Sequence, residues 1–196
     1  MFDVSICNRA LVLNGSNTIT SPEDNQVEAV ACVAIYSGVF NEVIADRSWS
    51  FAKKRVILLP EPPQEAYLPY SRYALPNDCI RLVQVTDDAE INPYVDRNDF
   101  YYMVEDSHVL AESTDQLHLM YMSNSVPTSR WSPHFKTAFV YRLAADLALT
   151  LSDNMRKSQM FMERYFYYLR EGITVDSMQG KPAKIRTESQ LTRTRW

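Results

Sequence analysis

The side chains best suited to proton transfer at neutral pH are three histidines, His108, His118 and His134. The first two fall in strand-like segments and the third at a helix start, and none has a cysteine or histidine partner at zinc-ligand spacing. Cys7, Cys32 and Cys79 are far apart and odd in number, with no Cys-x-x-Cys among them. They read as buried free thiols of a protein made in a reducing compartment. Carboxylates cluster at Asp87, Asp88, Glu90, Asp96 and Asp99, but without the aspartate spacing and turn glycine of an EF-hand loop. They read as a solvated loop. Four glycines in the whole chain leave no room for a Walker or dinucleotide loop, and no Gly-x-Ser-x-Gly elbow is present. The expectation is a protein with no catalytic residues, no cofactor and no metal site.

The elements that would position any other chemistry follow from period and punctuation. Val4, Cys7, Leu11 and their neighbours recur at helical spacing, and Asn14-Gly15 stops that helix. Ser21 and Pro22, with Glu23 and Asp24 behind them, predict the capped start of a second helix. From Val27 to Ile44 that helix is apolar nearly all round, which predicts burial on every side. No run approaches the ~20 apolar residues that span a bilayer, and the N-terminus lacks the basic region of a signal peptide.

The pattern changes at Trp49. "KKRVILLP", "CIRLVQV", "FYYMVED", "HVLA" and "QLHLMYM" read as strands, with turn residues at Asp106-Ser107 and at residues 113–115. Prolines at 60, 62, 63, 69 and 76 break any helix between the first two. Trp49 and Phe51 stand two apart, so on an extended segment both point to one side, at the junction of helical and β-rich parts.

Helix returns after Ser132-Pro133, a second cap-plus-proline device. Phe135, Phe139, Leu143, Leu147 and Leu151 recur every four residues. Asp153-Asn154 breaks the run. A last helix carries Met155, Met162, Phe166 and Leu169 on one side and ends near Gly172. Its "YFYY" run, Tyr165 to Tyr168, puts rings on all faces, which fits a subunit interface or a crowded core. The fold class is α+β: a helical bundle of about four helices with an inserted β-rich lobe and an extended C-terminal arm. The divisions are 1–48 with 126–180 for the bundle, 49–125 for the lobe and 181–196 for the arm.

That arm, "KPAKIRTESQLTRTRW", sets Lys181, Lys184, Arg186, Arg193 and Arg195 against Glu188 alone, a net +4. With the whole chain at −4, the remaining residues carry −8. The arm reads as a solvated end, as a phosphate-binding segment, or as a segment that orders on an acidic partner with Trp196 as apolar anchor. The acidic body works against the second reading by repelling a duplex.

Several motifs in order carry a resemblance. Ala29 to Cys32 gives an Ala-x-x-Cys helix, and Trp49 to Ala52 a Trp-Ser-Phe-Ala segment ahead of the basic strand Lys53 to Leu59. Tyr73 to Cys79 gives Tyr-x-Leu-Pro-x-Asp-Cys. Trp131 and Phe135 open a later helix holding Leu143, Ala144, Leu147 and Ala148. Over residues 3–172 the chain resembles the head-to-tail adaptors of short-tailed bacteriophages, the tail tubular protein A type. It departs from that pattern at Asn14-Gly15-Ser16, where the family often has Ile-Gly-Glu, and the arm has no counterpart.

The resemblance implies a structural virion protein and not an enzyme, made in the host cytoplasm and built into the phage neck. It implies a homo-oligomeric ring, usually a dodecamer, bound to the portal protein. Such a ring extends the DNA channel, docks the tail nozzle protein, and lets genomic DNA pass without sequence-specific binding or a membrane. Lys184, Arg186, Arg193, Arg195 and Trp196 are then the expected contacts to portal or neighbouring subunit. Another neck or tail-tube component, or a small hydrolase using carboxylates, are the rival readings.

Overall fold

The computed structural model describes residues 2–87, 100–112 and 115–178. The architecture is α+β, as the sequence predicts. Helices α1 (Val4–Asn14) and α2 (Val27–Asp46) precede six strands: β1 (Lys53–Leu58), β2 (Tyr70–Ala74), β3 (Cys79–Thr86), β4 (Tyr102–Glu105), β5 (His108–Glu112) and β6 (Leu117–Ser123). Helices α3 (Pro133–Ser152) and α4 (Met155–Met178) follow. The arm at 181–196 lies outside the described residues, as do the carboxylates at 88, 90, 96 and 99 and the turn residues 113 and 114.

Helix α1 starts on Asp3, whose carboxylate accepts from the Ser5 and Ile6 amides, and stops at Gly15 with φ 74°. The stop is tied down: Asn14 Nδ2 donates to the Ala144 carbonyl at 3.0 Å, and Lys157 Nζ donates to the Asn14 carbonyl at 2.9 Å. Helix α3 begins on Ser132, which accepts from the Phe135 amide, with proline in the first turn. It buries Phe135, Phe139, Leu143 and Leu147 and ends where Asp153 turns left-handed at φ 46°. It is the hub of the bundle, in contact with α1, α2 and α4.

The sheets are both antiparallel and three-stranded, in the orders β1-β6-β3 and β2-β5-β4. Asp106 and Ser107, at φ 45° and 60°, close the β4–β5 hairpin. Every residue of β6 is buried, because both its faces are covered. Leu117, Leu119 and Tyr121 alternate toward a cluster with Tyr73, Val85 and Val109, between the sheets. Met122, on the opposite face, joins the helical core, where Ile80 and Val83 of β3 also pack.

Several expectations need correction. The second helix starts at Val27 and not at Pro22. The Asp24 carboxylate accepts from the Thr20 and Ser21 amides and the Thr20 hydroxyl, closing "SPED" into a turn of its own. Helix α2 is not buried all round: Val27, Val30 and Val33 are exposed. Its length and hydropathy do suffice for a membrane span by composition alone, although Ala29, Cys32, Tyr36, Val39, Phe40 and Val43 are packed in the core. Helix α4 runs six residues past Gly172, to Met178. Its buried side is Ser158, Phe161, Tyr165, Leu169 and Gly172; Met155 and Phe166 are exposed. Strand β2, between Pro69 and Pro76, was not expected. Cys79 is half-buried, unlike the buried Cys7 and Cys32, and all three thiols are free.

Candidate functional site

Where helices meet sheets, Trp49 is 1% exposed and its indole N–H donates to the Val43 carbonyl at 3.0 Å. The chain here is a 3-10 turn, Ser50–Ala52, rather than an extended segment. The turn still brings Trp49 and half-buried Phe51 together, with ring centroids 6.0 Å apart, and both meet Phe135 at the start of α3. Gly172 completes the contact, since a methyl there would stand 3.2 Å from both the Trp49 ring and the His134 Cβ. A helix-interior glycine is costly, and here it is explained by this close approach. Asp176, one turn further on, accepts from the Ser50 amide at 2.9 Å and from the Ser50 hydroxyl. Tyr165 donates its hydroxyl to Asp46 at the end of α2.

A second constellation sits at the start of β3. Asp78 accepts from Lys54 Nζ at 2.7 Å, from the Ser123 hydroxyl at 2.7 Å and from the Tyr121 hydroxyl at 3.0 Å. Burial disfavours its charge, but these bonds and the Lys54 cation outweigh that and hold the carboxyl down at about 2. Burial, with the adjacent carboxylate, pushes Tyr121 up to about 12. Asp78 thus pins β1 and β6 to the turn entering β3.

A third constellation fixes the proline-rich segment to the other sheet. The Arg72 guanidinium donates to Gln64 at 3.0 Å, lies 4.6 Å from the Tyr67 ring centroid, and pairs with Glu61 at 3.7 Å. His108 Nδ1 lies against the Asp106 carbonyl, and its Nε2 lies 3.0 Å from Arg72 Nη2 and 3.3 Å from Glu61 Oε1. His118 is buried in β6 beside Gln116, and His134 stands at the start of α3. The three histidines therefore lie in three different elements. Among the described residues no group of three or more His, Cys, Asp or Glu is placed to hold a metal. Contact with the Cys32 sulfur, together with burial, pushes the Cys7 thiol up, which keeps it in the unreactive protonated form.

The remaining features are surfaces. On α2, Val27 is 71% and Val30 62% exposed; on α4, Met155 is 62% and Phe166 57% exposed. Tyr167 of α4 is exposed as well, whereas Tyr165 is buried and Tyr168 stacks on Tyr141. The "YFYY" run is thus divided between core and surface. Between α2 and the loop after β6 runs a groove of about 450 Å³ lined by Tyr36, Phe40, Asn41, Asn124 and Val126. Removing apolar surface of this kind from water is a source of association free energy.

No protein-family model matches the chain, and no curated protein matches its sequence. The site must therefore be read from its own chemistry. Of the junction residues singled out in the sequence, Trp49 and Phe51 meet at one place. Lys184, Arg186, Arg193, Arg195 and Trp196 lie outside the described residues. Sequence reasoning gave no structural role to Asp78 or Arg72 and read Gly172 only as a helix end. Asp78 had a signal in its turn position directly before an alternating strand; Arg72 and Gly172 are recognisable only through partners distant in sequence.

Proposed function

We propose that this chain is a structural subunit of a head-to-tail adaptor ring, bound to the portal of a short-tailed phage and carrying the tail nozzle below it. The observation that carries the reading is the pair of exposed apolar helix faces. α2 and α4 both pack on α3, and each leaves large apolar side chains in water on its own outer side. A subunit with two different sticky faces associates head to tail, and such contacts make a ring when the rotation closes. The −8 charge of residues 1–180 suits a channel wall, since like charge keeps phosphates from adhering. The resemblance in sequence motifs supplies the neck of the virion as the place where such a ring works.

The reading is tested by electron microscopy of the purified full chain, alone and mixed with the portal of the virus that encodes it. The expected result is rings with a central channel that sit coaxially on the portal. A chain that remains monomeric and does not bind portal sinks the reading. Deleting residues 181–196 should leave the fold intact and weaken portal binding. Equal binding by the truncated chain would remove the arm from the partner contacts.

A further inference from the structure

Two helical faces carry the pattern of buried surface without being buried. On α2, Val27, Val30, Ala34 and Gly38 follow one another at helical spacing, and all four are exposed. The strip is narrow, and a methyl added at Gly38 would meet nothing within 4 Å. On α4, Met155, Met162 and Phe166 form a ridge beside the buried side, with Met162 half-buried and the other two exposed. Past its valines the first surface drops to the small side chains of Ala34 and Gly38, a shallow furrow, whereas the second is a ridge of large ones. Two furrows facing each other would leave a gap, and two ridges would hold the helices apart. Furrow against ridge allows close packing.

Charge points the same way. From Ala10 to Asp46 the chain holds five acidic residues, Glu23, Asp24, Glu28, Glu42 and Asp46, and no basic one. Glu42 stands one turn beyond Gly38, with its side chain 59% exposed although paired with Arg142. Over its length α4 carries Arg156, Lys157, Arg164 and Arg170 against Glu163, Glu171 and Asp176. Arg156 and Arg170 are exposed along the same helix as the ridge. An acidic furrow side and a basic ridge side attract in one pairing and repel in the two like pairings.

We infer that the occupant of the α2 furrow is a second copy of this chain, which inserts its α4 ridge, Met155, Met162 and Phe166, along Val30, Ala34 and Gly38. The contact is heterologous, so each copy gives a ridge and receives one. This rests on the ring proposed above and names the surfaces that build it.

Mixed cross-linking tests the pairing on full-length chains in a Cys79→Ser background. One copy carries Ala34→Cys and the other Phe166→Cys. Disulfide-linked dimers should form in the mixture and not from either variant alone. Val30→Asp, at a position exposed in the single chain, should leave thermal unfolding unchanged and weaken self-association at least tenfold. Arg156→Glu with Arg170→Glu should weaken it less, by a factor that shrinks as salt is added. Rings that form without the mixed cross-link, and that Val30→Asp does not disturb, overturn this pairing and leave the adaptor reading standing. A chain that forms no rings, alone or on portal, overturns both. Flotation with phosphatidylcholine–phosphatidylglycerol vesicles, lost on Val30→Asp and accompanied by no cross-link, overturns the pairing in favour of a lipid surface.

Discussion

Around Phe135 five other rings meet, those of Phe40, Trp49, Phe51, Trp131 and Phe139. Around Asp78, by contrast, one carboxylate gathers three side-chain donors from two strands. The helical core is held by apolar area and ring geometry, which neither salt nor pH screens. The sheets are thin, with a small cluster between them, and rely on polar knots at Asp78 and Arg72 to fix strand order and the proline-rich segment. The helical region should therefore fail when volume is removed, and the β region when charge is changed.

The largest expected effect is in the ring cluster. Trp49→Ala removes a buried aromatic and its hydrogen bond, and should cost about 3–5 kcal/mol in denaturant unfolding. A loss below about 1 kcal/mol would show that the junction does not depend on packing. Next comes Asp78→Ala, which strands Lys54, Ser123 and Tyr121 and should cost about 2–3 kcal/mol. The same residue gives the β region its pH dependence. Its carboxyl is held below its ordinary value, so its stabilisation is complete above about pH 4 and is lost as pH falls toward 2. Asp78→Asn should flatten that acid limb while leaving tryptophan fluorescence, to which Trp49 and Trp131 of the helical core contribute, unchanged at neutral pH. An unaltered acid limb in the variant would break the comparison.

Smaller effects sharpen it. Gly172→Ala places a methyl 3.2 Å from Trp49, and the strain should cost about 1–2 kcal/mol, seen as a lower thermal midpoint. A stabilised variant would mean that the indole shifts freely and that helix propensity wins. Arg72→Met keeps much of the packing and removes the bonds to Gln64 and Glu61. It should cost about 1 kcal/mol and raise protease cleavage between residues 60 and 69 before global unfolding. Cleavage at the wild-type rate would detach Arg72 from the role given to it.

What was legible in the sequence is what local chemistry decides. Ser132-Pro133 fixes its helix start by its own hydroxyl and ring, and Asp106-Ser107 fixes its hairpin by tolerance of positive φ. What was illegible depends on distant partners. Gly172 reads as a stop, yet it exists because Trp49 lies against it. "SPED" reads as a cap, yet Asp24 bonds backward to Thr20 and Ser21. β2 is hidden because its prolines bound a five-residue strand rather than exclude one, and Tyr73 gains its burial from β5 and β6. On α4 the sequence sets Met155 and Phe166 on one side with Leu169, but period identifies an apolar face without saying what covers it, and only Leu169 of the three is buried. The pairing of Trp49 with Phe51 was legible as proximity but not as a 3-10 turn.

The Asp176 link to Ser50 has a mechanical side. Tension applied to the chain beyond Met178 enters α4 along its axis and meets that link within the final turn, ahead of the Gly172–Trp49 contact. The carboxylate grips both the amide and the hydroxyl of Ser50, at the point where the helices pass into β1. A load from that end is therefore delivered to the junction between the two regions, and not first to the far end of the bundle. Asp176→Ala should lower the force at which α4 peels away in single-molecule pulling from residue 178, with little change in equilibrium stability.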